Sequence, residues 1–266
     1  MNYLSKRDQP LSYHDSQKEP HIAVVIPAYL EERLLPITLA GIPHYIQTII
    51  VVDDASTDRT RLVAQNFAKQ VASENTEDYS EKYRQVRVLS LPKNSGVGRA
   101  ICVGYLEALG LGADIAVVVG ADAQMDPNEI RYLVDSISSE VCYVKGDRMQ
   151  HPEVRKRMPS IRYWGNRILS WTTGYLMSYP TLSDAQCGFT ALKLECLSKI
   201  PLAKIYPRYG FPNDLLLRLA EAKVRIAQVP VTPIYASEQS KLSIPKVLLP
   251  LSLLFIRALG RKIFSL

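Results

Sequence analysis

The chain has 266 residues and a mass of 29.9 kDa, enough for one large domain with a short appendage. Apolar residues at 47% against 22% charged exclude wholesale disorder, a collagen-like or coiled-coil fibre, and a polytopic membrane protein. The net charge of +6 is concentrated in two places: seven basic against two acidic residues between Val144 and Arg167, and five basic with no acidic residue from 239 onward. The remainder is net acidic, which excludes a uniformly basic nucleic-acid coat and points to phosphates or an anionic membrane face.

Residues 1–20 are polar and hold no apolar run of signal-peptide length, so a mobile N-terminal arm is expected. From His21 the pattern changes to short apolar runs alternating with helical stretches. HIAVVI (21–26) precedes a helical stretch near 31–41, and TIIVVD (48–53) precedes one near 58–71. QVRVLSL (85–91) leads into a helix over Val97–Leu109 opened by Gly96 and Gly98. DIAVVVG (114–120) leads into a segment that Pro127 starts, and VCYVKG (141–146) follows. Runs that are apolar at every position suit strands covered on both faces, so the alternation predicts a mostly parallel, doubly wound α/β sheet. In such a sheet the ligand sits beyond the carboxyl ends of the strands.

The strand ends are polar: Pro27-Ala28-Tyr29-Leu30-Glu31-Glu32, Asp53-Asp54-Ala55-Ser56-Thr57-Asp58, Gly120-Ala121-Asp122-Ala123-Gln124-Met125-Asp126-Pro127 and Lys145-Gly146-Asp147-Arg148. Singly, such segments are strand-to-helix turns with capping acids, and Glu31 and Glu32 suit a helix first turn. Together they converge on one crevice. Further on, Ile161, Trp164, Ile168, Trp171 and Tyr175 recur at helical spacing among arginines, a pattern shared by core stripes and interfacial helices. The tail 242–266 is apolar with only basic charges, and no uninterrupted run in it reaches membrane-spanning length. It predicts amphipathic interfacial helices or a helix docked on the domain. Cys102, Cys142, Cys187 and Cys196 form no C-x-x-C pair, which predicts four reduced thiols in a cytosolic protein. Cys187 reads as a small packing residue beside Gly188.

VVIPAYLEE, IIVVDDASTD, GADAQMDP, YVKGDR, DAQCGFTAL and RYGFPNDLL, in this order, resemble family 2 of the inverting nucleotide-sugar glycosyltransferases, which have the GT-A fold. Within it they resemble the branch of dolichyl-phosphate mannose synthase and other polyprenyl-phosphate sugar transferases. The resemblance runs from about His21 to about Lys241, so a domain over 21–241 is expected. It implies a nucleotide diphosphate sugar as donor, a lipid-linked acceptor such as polyprenyl phosphate, and a peripheral enzyme of cell-envelope glycan biosynthesis at the cytoplasmic membrane face.

The resemblance also implies roles. Pro27, Tyr29, Glu31, Val52, Asp54, Ala121, Asp122, Arg148 and Lys241 would bind the donor. Asp54 would accept a base N–H, since a carboxylate only accepts. Asp122 and Gln124 would hold a divalent cation, Mg²⁺ or Mn²⁺, with nucleotide present. The first acid of the family's Asp-x-Asp is Gly120 here, and a family arginine is Tyr235. Asp214 stands where relatives carry a general base, although Asn213-Asp214 before a leucine run is also a helix start. Asp184 would lie near the acceptor, with Arg148 a third catalytic group. Gly120 and Tyr235 keep a catalytically silent binding protein as the rival reading. A sugar nucleotidyltransferase fits less well, because the first strand lacks a glycine-rich loop.

Overall fold

The computed structural model describes residues 19–74, 84–235 and 251–260. Most of the expected N-terminal arm (1–18), Lys241, and tail residues 242–250 and 261–266 lie outside the described residues. In chain order the elements are β1 (Ile22–Ala28), α1 (Leu35–Gly41), β2 (Thr48–Asp53), α2 (Thr60–Glu74), β3 (Gln85–Ser90), α3 (Val97–Gly110) and β4 (Ile115–Val118). They continue with α4 (Ile130–Asp135), β5 (Val141–Asp147), α5 (Val154–Arg157), α6 (Ser160–Met177), β6 (Thr190–Lys193), α7 (Phe211–Glu221) and β7 (Arg225–Pro230). Residues 251–260 are also helical.

The seven strands lie in the order β3-β2-β1-β4-β6-β5-β7. β6 runs antiparallel to both of its neighbours, and every other pairing is parallel. The expected parallel sheet is therefore present over β1–β5, with β6 and β7 added. These two carry weak sequence signals for physical reasons. β6 is only TALK, and β7 (RIAQVP) is an edge strand with no fully buried residue.

Each central strand feeds two cores. Ala23, Val25, Ile50, Val52, Ala116 and Val118 face one way, against α3 and α7; Ile22, Val24, Ile26, Ile49, Val51, Ile115 and Val117 face the other, against α1 and α4. This period-2 division of a continuous apolar run makes a three-layer sandwich. Fully burying one such Val, Leu or Ile side chain contributes about 1.5–3 kcal/mol. α3 lies close to β1 because Gly104 faces Val25, where an added Cβ would meet Cγ1 at 2.2 Å. That closeness fixes where the N-terminus of α3 meets the strand ends.

One expectation is corrected. Cys142 and Cys196 form a disulfide, with Cα atoms 6.5 Å apart, whereas Cys102 and Cys187 are free and buried. The partners are 54 residues apart in sequence, so local spacing says nothing about them. Pairing of β5 with β6 is what brings the start of β5 beside the turn after β6.

Candidate active site

A cavity of about 780 Å³ opens at the carboxyl ends of β1, β2 and β4. It lies at the switch point of the sheet, where the chain, having run outward from β1 to β3, returns to place β4 on the other side. Pro27, Tyr29, Glu31, Asp54, Ala121 and Asp122, all expected donor residues, line it.

The loops after β1 and β2 hold one another. Leu30 N–H donates to Ser56 Oγ (3.0 Å), Glu31 N–H to Thr60 Oγ1 (2.8 Å) and Glu32 N–H to Asp58 Oδ2 (3.3 Å). Arg59 N–H returns a bond to Glu32 Oε2 (2.9 Å). Leu30 and Ala55 have φ of 57° and 59°, a conformation that non-glycine residues avoid unless surrounding bonds enforce it. Asp53 and Asp58 serve this turn: Asp53 Oδ1 accepts from Ser56 N–H, and Asp58 Oδ1 from Thr60 N–H and Oγ1. Asp54 alone of the three faces the cavity, and it is buried. Its oxygens accept from Ser95 N–H (2.6 Å) and Gly96 N–H (2.7 Å), so it also fastens the loop that opens α3.

A third wall comes from residues 206–210. Pro207 C=O accepts from Gly98 and Arg99 N–H, which caps the N-terminus of α3. Gly96 has φ of 96°, and a Cβ there would meet Pro207 O at 2.5 Å, so both backbone and space demand glycine. Tyr206, Arg208 and Tyr209 thereby line the cavity. RYGF stood among the sequence motifs, but these side chains carried no assigned role. Their placement depends on a long-range contact between α3 and the loop before α7.

At the β4 end, Asp122 lines the cavity and its Oδ1 accepts from Gln124 N–H (3.2 Å). Thr38 of α1 ties this loop down, donating to Gly120 O (3.4 Å) and accepting from Ala123 N–H (3.2 Å). Ala123 has φ of 52°. Gln124 is not among the lining residues. Asp126 caps the following turn through Asn128 N–H, the structural reading of Asp126-Pro127.

Other expected site residues stand behind the walls. Val52 is fully buried in the core that includes Ala100 and Ile101. Asp184 is fully buried and forms a hub: it accepts from Arg148 Nε (2.8 Å), Nη2 (3.1 Å) and N–H (3.1 Å), from Asn166 Nδ2 (2.8 Å), and from Gln186 and Cys187 N–H. Burial alone would raise the Asp184 carboxyl, but Arg148 and these donors hold it down to about 2. Burial opposes charge on Arg148, yet Asp184 pushes its proton affinity well above the ordinary value. Lys145, fully buried beside them, donates to Cys187 C=O, and burial lowers its pKa. Cys187 thus packs as expected, with burial pushing its thiol up. Asp214, in the first turn of α7, accepts from Tyr206 N–H (2.7 Å) and Arg218 Nε (3.0 Å). Its carboxylate anchors the 206–210 wall and does not line the cavity.

A family model described as glycosyl transferase family 2 matches residues 23–200. The chain belongs to glycosyl transferase family 2. This family 2 chain is 31% identical over 216 residues to the UDP-N-acetylglucosamine–dolichyl-phosphate N-acetylglucosaminyltransferase of Methanococcus voltae, covering 80% of this chain and 86% of that one. It is 28% identical over 226 residues to the undecaprenyl-phosphate mannosyltransferase of Micrococcus luteus, covering 79% and 82%. Among solved structures, glucosyl-3-phosphoglycerate synthase from Mycobacterium tuberculosis in complex with UDP is similar in fold, with a TM-score of 0.66 at 19% identity and coverage of 91% and 81%. The fold is GT-A, and the protein is a glycosyltransferase.

Proposed function

We propose that this glycosyltransferase moves a sugar, with inversion, from a nucleotide diphosphate sugar to a polyprenyl phosphate at the cytoplasmic face of a membrane. One observation carries the acceptor: Asp184 and Asp214, the two carboxylates expected toward it, are committed to Arg148 and Arg218. A sugar hydroxyl acceptor needs a general base, whereas a lipid phosphate arrives ionised and needs none. The lipid-phosphate transferases among the relatives support the same acceptor.

For the donor, Tyr29 offers a flat face to the base, and Asp54 keeps one lone pair on each oxygen beyond its backbone bonds. Among the described residues the cavity lining holds three acids, Glu31, Asp54 and Asp122, and one cation, Arg208. A divalent ion would offset the charge of a diphosphate placed beside Asp122. Asp122 fits a nucleotide-dependent divalent ion, Mg²⁺ or Mn²⁺, because Mg²⁺ sites use one or two carboxylates plus substrate phosphates and water. Gly120 adds no ligand, and Gln124 would have to turn inward. Such an ion, when bound, neutralises the leaving diphosphate. Lys241, at the end of the expected domain, would add a cation.

For the membrane, α6 turns its apolar stripe outward: Trp164 is 61% and Trp171 73% exposed, in line with Ile161, Ile168 and Tyr175. Arg155, Arg157 and Arg167 flank the stripe, as suits an anionic interface. Among the described residues no helix is long and apolar enough to cross a membrane. The 251–260 helix is docked through Leu251, Leu254 and Ala258, yet it exposes Leu253, Ile256 and Leu259.

The test is transfer from a panel of nucleotide sugars to polyprenyl phosphate, read as product mass. Asp214→Asn should retain turnover within a few-fold. A loss of about 100-fold at unchanged donor binding would instead mark Asp214 as a base and overturn the phosphate argument.

A further inference from the structure

Among the described residues Arg208 is the one cationic side chain in the cavity lining, and its surroundings are unusual for an arginine. Among the described residues it pairs with no carboxylate; its guanidinium donates through Nη1 to Asn94 Oδ1 (3.0 Å) and through Nη2 to Asn94 C=O (3.2 Å). Arg148 and Arg218, by contrast, each grip an acid. The Arg208 stem crosses Gly96 so closely that a Cβ there would meet its Cγ at 2.7 Å. Gly96 is also the residue whose N–H binds Asp54 Oδ2 at 2.7 Å. Arg208 is thus held at the Asp54 end of the cavity, whereas Asp122 belongs to the β4 end.

We infer that Arg208, latched by Asn94, reads the donor's base together with Asp54; this rests on the nucleotide-sugar reading above. Asp54 can only accept, and Arg208 can only donate, with three of its five N–H groups left over from Asn94. An acceptor beside a donor is complementary to a ring N–H next to a carbonyl. Uracil and guanine present that edge. With Asp54 facing the ring nitrogen and Arg208 the exocyclic group, cytosine and adenine would set a bare ring nitrogen against the Asp54 carboxylate and an amino group against the Arg208 guanidinium. Selection of this kind rejects the wrong partner by leaving the buried Asp54 carboxylate unmatched. Arg208 is therefore a specificity-determining residue, and Asn94 positions it.

The test is equilibrium binding of UDP, GDP, ADP and CDP to the full chain with Mn²⁺, for wild type, Arg208→Ala, Arg208→Lys and Asn94→Ala, with thermal melting to confirm folding. Wild type should bind UDP or GDP at least about 10-fold more tightly than ADP and CDP. The tighter of the two identifies the base. Arg208→Ala should weaken that nucleotide by about 10-fold and leave ADP and CDP within about two-fold, so the selectivity collapses. Arg208→Lys keeps the charge without the planar fork and should hold overall affinity while losing selectivity. Asn94→Ala should do the same in weaker form. Should Arg208→Ala fail to fold, the lysine variant decides. An equal loss across all four nucleotides would overturn the inference, because a cation acting on phosphates or stacking on a base does not read its edge. Unchanged selectivity, or a wild type that binds all four alike, would overturn it too. A wild type that binds none of them would instead bring down the donor reading itself.

Discussion

In β1–β4 and their helices the interior is almost wholly apolar, and chemistry is confined to the loops at the strand ends. From β5 to α7 the interior instead holds Lys145, Asp147, Asn166, Ser170, Thr173, Asp184, Asn213 and Asp214. α6 shows the contrast within one helix. Its buried residues are Asn166, Ser170, Thr173 and Gly174, whereas Ile161, Trp164, Ile168, Trp171 and Tyr175 face outward. Asn166 reaches Asp184, Ser170 reaches Ala185 N–H, and Thr173 accepts from Asn213, which in turn accepts from Gln186. The first half is an apolar frame whose loops line the cavity proposed for the donor. The second half fixes Arg148 and the 183–189 segment by a polar network, and α6 turns its polar side to that network and exposes Ile161, Trp164, Ile168 and Trp171.

The sharpest way to break this division is at its thinnest point, Asp122. If the donor half supplies a single metal carboxylate, Asp122→Ala should lower sugar transfer by about 10³-fold or more while the fold stays intact by thermal melting. Full activity in excess chelator would remove the metal and leave the cations alone to stabilise the leaving group.

The polar hub should fail differently, through stability. Asp184→Asn removes the charge facing a largely buried Arg148 and should cost about 3–5 kcal/mol in denaturant unfolding. The pH dependence sharpens this. An unfolded aspartate titrates near about 3.9, and the folded Asp184 near about 2. Its contribution of about 2–3 kcal/mol is complete above about pH 5 and disappears as pH falls through the folded value. Asp184→Asn should flatten that acid limb; an unaltered limb would place the acid sensitivity elsewhere.

The outward face of α6 should answer to neither assay. Trp164→Ser with Trp171→Ser should reduce binding to vesicles containing anionic lipid by about 10–100-fold, given about 1.5–3 kcal/mol for burying a large apolar side chain. The melting temperature should hardly move, because neither ring is buried. Co-sedimentation equal to wild type would return the stripe to being ordinary surface. The smallest effect is expected from Gly120→Asp. Its Cβ would come within 2.8 Å of Asp122 Oδ1, so Asp122 must rotate before two carboxylates can share an ion. Mn²⁺ affinity without nucleotide should rise only a few-fold, measured by titration with and without nucleoside diphosphate.

The first five strands, their parallel direction and the loops that line the cavity were legible in the sequence because each rests on local chemistry: continuous Val/Ile runs, turn residues, and acids at strand ends. Pro27, Tyr29, Glu31, Asp54, Ala121 and Asp122 follow directly, since their positions along the strands place them at one end of the sheet. The tertiary structure decided what depends on residues far apart. β6 is too short and β7 too exposed to announce themselves, and the Cys142–Cys196 bond exists only because β5 pairs with β6. Asp184 is expected near the acceptor and Asp214 as a base or a helix start, whereas their pairing with Arg148 and Arg218 depends on the tertiary structure, as does the entry of Arg208 into the cavity beside Pro207, which caps α3. Even the stripe on α6 has the same period whether it faces in or out. The direction was settled by Asn166, Ser170 and Thr173 finding buried polar partners, which a helix can do on only one side.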